Sequence, residues 1–371
     1  MKRIVLLYGG KSGEHEVSRI SAASILRHLD RRAWDPILIG MTIEGEWILQ
    51  GPAALAEALA GSGPLAIEPG PRVVAVPGGG PERGLSCERR EGLEAVPCDV
   101  VFPVLHGSFG EDGLVQGLLE CADLPCVGAP VLGSALGMDK EKAKLLWKEA
   151  GLPHVPFVAR KRHELATAEG LDLLRREVGS RFGYPAFVKP ASTGSSVGTA
   201  KVEGPDELVA AVREALVWDD KVLVEPFVPA REIECSVLGN RVLEAFAPGE
   251  VVPSHEFYDY EAKYIDPNGA RLEIPAPISD AQAERVREIA IRACAVLDIT
   301  GMARVDFFID RNTGEVLLNE VNTIPGFTSI SMYPKMCEVG GLPYPELIGR
   351  LAELAIARRE ERKRIRYRRE G

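Results

Sequence analysis

The stretch GMARVDFFIDRNTGEVLLNEVN, residues 301–322, alternates apolar and polar residues on either side of the turn-forming tetrapeptide RNTG. That pattern predicts an antiparallel hairpin, because successive side chains on a strand point to opposite faces. Parity assigns Ala303, Val305, Phe307 and Ile309 to one face and Arg304, Asp306 and Phe308 to the other. On the partner strand it groups Leu318 with Glu320 and Asn322, and Leu317 with Val321. If the apolar faces coincide, Arg304, Asp306, Glu320 and Asn322 share one polar face. Two carboxylates and an amide oxygen are hard ligands of the kind magnesium accepts, with phosphate oxygens completing the octahedron. The cluster has no histidine or thiolate, which disfavours zinc and iron. An arginine beside it would stabilise charge on a transferred phosphoryl group or an acyl oxyanion. The plainer alternative is a solvated face with Arg304 paired across to Glu320.

A second stretch, VKPASTGSSVGTAKV (188–202), has the chemistry of a polyphosphate cradle. Glycines let backbone N–H groups approach closely, hydroxyls add donors and Lys189 adds charge. It is not a P-loop, in which the lysine follows the glycines. Its alternative is an ordinary polar turn between the strands AFVKP and TAKVE.

At 371 residues the chain has room for two or three domains. The opening reads as strand, helix, strand (RIVLLYGG, a helix at 17–28, DPILIGMT), an α/β unit built on a parallel sheet. The Gly- and Pro-rich stretch up to residue 97 reads as a surface insertion. Asp139 is placed to cap a helix that ends at Gly151, with Pro153 beyond. These features divide the chain at 1–128, 129–225 and 226–371.

A net charge of −10 argues against nucleic acid, although the tail ARREERKRIRYRREG (357–371) reverses the sign locally. That tail reads as the solvated end of a helix. With no run of eighteen apolar residues and no signal-peptide core, the expectation is a cytoplasmic chain without membrane contact. The seven scattered cysteines lack CxxC spacing and read as thiols in a reducing compartment.

Eight segments in order, from GGKSGEHEVS (9–18) and HGSFGEDGLVQGLLE (106–120) to FYDYEAKY (257–264) and NEVNTIPGFTSIS (319–331), resemble the ATP-grasp superfamily and, within it, the D-alanine–D-alanine ligases. The resemblance covers nearly the whole chain. It implies a three-domain ATP-grasp architecture of α/β and α+β type: an N-terminal, Rossmann-like parallel-sheet domain and two α+β halves enclosing ATP. It implies that Lys140 and Lys189 contact the ATP phosphates under a loop carrying Ser195 and Ser196. Glu225 and Val228 would face adenine, Glu232 the ribose, and Asp306, Glu320 and Asn322 would hold two Mg2+ ions, with Mn2+ as a substitute. Thr193 and Pro226 depart from some members' pattern, at the phosphate loop and beside the adenine-facing residue.

The resemblance further implies ligation of two D-alanine molecules through an acyl phosphate, for peptidoglycan synthesis, by a homodimer. Glu16 would anchor the first ammonium in a hydrogen-bonded set with Ser195 and Tyr264. Arg304 and the N–H of Gly326 would form the oxyanion site. Lys263, which also lies at the ATP site, and Ser331 would receive the second carboxylate, and His106 would border the substrate. The loop around Tyr264 (253–277) would close to exclude water. Glu16 and Ser18 have the plainer reading of a helix cap. Rival functions are a ligase using D-lactate or another amino acid as acceptor, a non-catalytic nucleotide-binding regulator, and a nicotinamide dehydrogenase. The last lacks GxGxxG at the first turn.

Overall fold

Gly301–Asp310 and Val316–Asn322 pair as an antiparallel hairpin with Arg304 opposite Asn322 and Asp306 opposite Glu320. The computed structural model describes residues 1–61, 63–253 and 270–367. Burial along Gly301–Asp310 follows the two-residue period, with Ala303, Val305, Phe307 and Ile309 in the core. Removing Val305, Phe307 and Ile309 from water stabilises the strand by roughly 2 kcal/mol each. A one-residue slip would forfeit that.

Parity fails at one place on the partner strand. A bulge between Asp306 and Phe307 skips Asn319, so Leu318 pairs with Phe307 and Leu317 with Phe308. Leu318 is therefore fully buried in the core and does not share the polar face expected for it; Leu317 takes that side. An inserted residue reverses every face assignment beyond it, and alternation alone does not reveal the insertion.

This hairpin continues into a sheet through Ala230–Gly239, Gly249–Pro253 and Ala270–Glu273. The helix Asp280–Val296 covers its apolar face, packing Val286, Ile289 and Ala293 against Val305 and Phe307. Ala143 and Trp147 of the helix Lys140–Glu149 enter the same core. Trp147 Nε1 donates to Ala293 O at 3.2 Å.

A separate four-stranded antiparallel sheet pairs Ala186–Pro190 with Ala200–Val202 and Lys221–Pro226, the last also with Val158–Lys161. It is backed by the helices Ala168–Arg181 and Pro205–Trp218, which bury Leu174, Val178, Leu208 and Val212. Asp139 caps Lys140–Glu149 by accepting from Lys142 N. It also binds Lys221 Nζ at 2.8 and 2.6 Å, fastening that helix to this sheet.

The N-terminal strand Lys2–Gly9 runs parallel to both Trp34–Met41 and Val100–Val104, with Trp47–Leu49 antiparallel at the edge. The helix His15–His28 lies on one face beside Tyr344–Arg362, whose Leu347, Ile348 and Leu351 join the core of Ile4, Leu6 and Phe102. The stretch expected as an insertion instead forms a small antiparallel sheet of Val73–Ala75, Leu85–Arg89 and Gly92–Ala95. Leu85 and Cys87 anchor it in the core of the parallel sheet, which is why it is ordered despite its turn-rich composition.

Candidate active site

The polar face of the hairpin opens onto two adjoining cavities. The larger, about 770 Å³, is bordered by Lys189, Ser196, Glu225, Val228, Glu232 and Asn319. The smaller, about 110 Å³, is bordered by Glu14, His106, Arg304, Asn322, Gly326 and Ser331. Lys140, Thr193, Gly194, Ser195 and Glu320 line both. A concave site of that combined size with few convergent charges suits a nucleotide beside a small second ligand.

Arg304 and Asp306 face each other in a bidentate pair, Nε to Oδ1 at 2.8 Å and Nη2 to Oδ2 at 2.7 Å. Glu234, on the neighbouring strand, holds the same guanidinium at 3.0 Å. Asn322 Nδ2 donates to Asp306 Oδ2 at 2.9 Å. Glu320 Oε2 lies 3.4 Å from Lys140 Nζ, which also donates to Thr193 O at 2.7 Å. Both carboxylates thus draw a cation, and with the amide of Asn322 they present a hard-oxygen donor set that fits magnesium.

Lys189 projects from Ala186–Pro190 and reaches Glu225 at 2.6 Å and Asn319 Oδ1 at 3.4 Å. Glu225 is 3% exposed and also binds Lys144 at 3.1 Å. Burial alone would raise its pKa, but the two ammonium groups outweigh that and hold it below the ordinary carboxylate value. Burial presses Lys144 down to about 8.

The loop between the strands stands over the cavity with Ser195 and Ser196 at φ 51° and 60°, in the left-handed region. Holding two non-glycine residues there costs roughly 1–2 kcal/mol each, a strain typical of functional loops. Ser195 Oγ donates to Glu14 Oε1. This corrects the expectation for Glu16. Its side chain is 60% exposed and paired with Arg19 at 2.8 Å, one turn along the helix. Glu14 sits at the cap position of His15–His28, yet its carboxylate makes no capping bond and turns into the site. Ser18 does not cap either: it accepts from Gly9 N at 2.7 Å and donates to Val104 O, bolting the first turn to the parallel sheet.

His106 is buried, with Nδ1 donating to Ile324 O at 3.0 Å and Nε2 3.2 Å from Ser21 Oγ. Burial works against its charged form, but Glu111 and Glu14 prevail and raise its pKa above the ordinary histidine value. Ser331 Oγ accepts from Thr328 N at 2.9 Å beside Gly326, where an added Cβ would lie 2.7 Å from that oxygen. Lys263 and Tyr264 lie outside the described residues. Glu14, Glu111, Lys144, Glu234 and Asn319 are site residues that the sequence reading missed. For Glu14 a signal existed: Glu16 and Arg19 form an i,i+3 pair that belongs on an outer helix face.

A family model described as the D-ala D-ala ligase N-terminus matches residues 3–129, and one for the D-ala D-ala ligase C-terminus matches residues 146–353. This chain belongs to the D-alanine–D-alanine ligase family. It is 49% identical over 358 residues to a D-alanine–D-alanine ligase of Treponema denticola, covering 96% of each chain. To D-alanine–D-alanine ligase A of Bradyrhizobium diazoefficiens it is 47% identical over 367 residues, covering 98% of this chain and 97% of the relative. Among solved structures, the ligase from Coxiella burnetii superposes with a TM-score of 0.81 at 36% identity, covering 98% and 96% of the two chains. The VanG D-Ala:D-Ser ligase from Enterococcus faecalis gives 0.81 at 34%, covering 95% and 99%. The fold is that of the ATP-grasp ligases, as the sequence resemblance implied.

Proposed function

We propose that this chain joins two molecules of D-alanine to D-alanyl-D-alanine with conversion of ATP to ADP and phosphate, supplying a peptidoglycan precursor in the cytoplasm. The observation that supports it best is the meeting of Lys140, Lys189 and Glu320 on the large cavity, with Asn322 on the adjoining one and Asp306 bonded to Asn322 and Arg304 beside it. In this reading Lys140 and Lys189 release their carboxylates to bind ATP phosphates beneath Ser195 and Ser196. Glu225 and Val228 meet the adenine and Glu232 the ribose hydroxyls. Asp306, Glu320 and Asn322 hold two magnesium ions, or manganese in their place. When bound, these cations neutralise charge on the phosphoryl oxygens.

Glu14, in the role expected of Glu16, anchors the ammonium of the first D-alanine. A carboxylate oxygen of that substrate attacks the terminal phosphorus, ADP leaves, and an acyl phosphate forms. The amine of the second D-alanine then attacks the carbonyl carbon and loses a proton. Arg304 and the N–H of Gly326 stabilise the oxyanion, and phosphate is expelled. Ser331, with Lys263, receives the second carboxylate, and Tyr264 completes the set around Glu14. His106 borders the first substrate.

We divide the chain for this purpose at 1–128, 129–225 and 226–371. We also assign a homodimer through the N-terminal unit. Leu114 (58% exposed) and Leu118 (44%) share one helix face of that unit. Among the described residues no helix is long and apolar enough to cross a membrane.

A second reading, with D-serine as the acceptor, is favoured by the likeness to the VanG ligase. One assay separates them: ADP release and dipeptide formed with D-alanine or L-alanine alone, and with D-alanine plus D-serine or D-lactate, with and without magnesium. Magnesium-dependent turnover with D-alanine alone is the expected result. Equal rates with L-alanine would refute the proposal.

A further inference from the structure

Glu225 is a buried carboxylate with two cationic partners of different kinds. Lys189 lines the large cavity and shares its ammonium with Asn319, so a polyphosphate entering the cavity can draw it away. Lys144 cannot leave. Its side chain is 0% exposed, lies on the inner face of Lys140–Glu149, and has Glu225 at 3.1 Å and Val155 O at 3.5 Å as its partners. A buried carboxylate that loses every cation takes up a proton instead. A protonated acid is a poorer acceptor for a ligand N–H.

We propose that Lys144 is a positioning residue: the fixed counterion that keeps Glu225 ionised after Lys189 is drawn to the phosphates, leaving it an acceptor for the exocyclic amine of adenine. The inference rests on the reading above that ATP occupies this cavity with adenine at Glu225. The charged groups facing Glu225 are Lys144, Lys189 from Ala186–Pro190, half-buried His154, and Glu320 at longer range through Lys144. Burial lowers the pKa of His154, so above neutral pH it contributes little charge. The lowered pKa of Lys144, about 8, still leaves it mostly protonated at pH 7. Its repulsion from Lys189 ends when that lysine moves to phosphate.

The test is calorimetric binding to the full chain at pH 7 in buffers of differing ionisation enthalpy. The probes are magnesium ATP and purine riboside triphosphate, which lacks the 6-amino group. Lys144→Met is expected to take up about half to one proton more per ATP than the unsubstituted chain, because Glu225 must protonate when Lys189 departs. Its preference for ATP over the analogue should fall from roughly tenfold to about twofold. Adding Glu225→Gln should abolish the extra proton. No extra uptake by Lys144→Met overturns the inference. If Lys144→Met does not fold, the double variant decides: folding once the carboxylate is also neutral supports the pairing, and failure makes Lys144 merely structural and overturns it. A Glu225→Leu chain, which has no acceptor there, that keeps the full preference for ATP overturns the adenine placement, and the inference with it.

Discussion

Ser195 donates its hydroxyl proton to Glu14 across 181 residues of sequence, joining the loop over the large cavity to the first turn of the parallel sheet. Gly194 makes the approach feasible, since a Cβ there would lie 2.9 Å from Glu14 Oε2. The loop's two left-handed serines are held over the cavity by a contact that also positions the carboxylate proposed to anchor the substrate ammonium.

Glu14→Ala should therefore lower kcat/KM for the first D-alanine by about 100-fold or more, as loss of a charged contact at the reacting substrate does. Glu16→Ala, which removes a solvent-facing pair with Arg19, should cost less than about threefold. Steady-state ADP release at varied D-alanine separates the two, and equal losses would reinstate Glu16.

Asp306→Asn should reduce kcat by about 100-fold or more and raise the magnesium concentration needed for half-activity. Arg304 keeps Glu234 as a partner, so the strand should fold with little change in melting temperature. A variant with an unchanged magnesium titration would remove Asp306 from the cation site.

The pH dependence of stability follows from the buried thiols. Burial pushes Cys98, Cys126 and Cys294 up to about 12, and Cys235 and Cys337 higher still. A thiol with a raised pKa contributes stability fully present below its unfolded value of 9.0 and lost as pH rises towards its folded value. Unfolding then releases protons, subtracting about 1.4 kcal/mol per pH unit for each thiol. Lys144, held down to about 8, acts oppositely between there and 10.5, one group against five. The melting temperature should fall progressively above about pH 9, and Cys294→Ala should make that fall shallower. A flat profile from pH 9 to about 11 would contradict the burial of these thiols.

Leu118→Glu should convert the proposed dimer to monomer at micromolar concentration, read by sedimentation equilibrium. A charge at the centre of an apolar contact typically costs several kcal/mol. An unchanged mass would place the interface elsewhere or show a monomer from the outset.

Strand parity made the shared polar face of Arg304, Asp306, Glu320 and Asn322 readable, because Val305, Phe307 and Ile309 fix the register through burial. The glycine and serine composition of residues 193–198 likewise pointed to a loop that lines the large cavity. Other features depend on contacts distant in sequence. Lys144 looks like one polar residue of an amphipathic helix until the strand Lys221–Pro226 places Glu225 over it. Glu14 and Glu16 differ by two positions, about 200° around a helix, and only the helix start at His15 decides which turns inward. The small sheet at residues 73–95 is set by Leu85 and Cys87 finding the neighbouring core, which turn propensity does not encode.

The bulge that skips Asn319 constrains how the gene can change length. A codon gained or lost in the turn Arg311–Gly314 alters a solvated connection and leaves both strands in phase. Loss of Asn319 would only remove the bulge, leaving Leu318 buried and Glu320 outward, whereas loss of the Val321 codon would rotate Asn322 into the hydrocarbon layer or turn Glu320 away from the polar face. Drift in length should accordingly be tolerated at the hairpin tip and purged a few residues later.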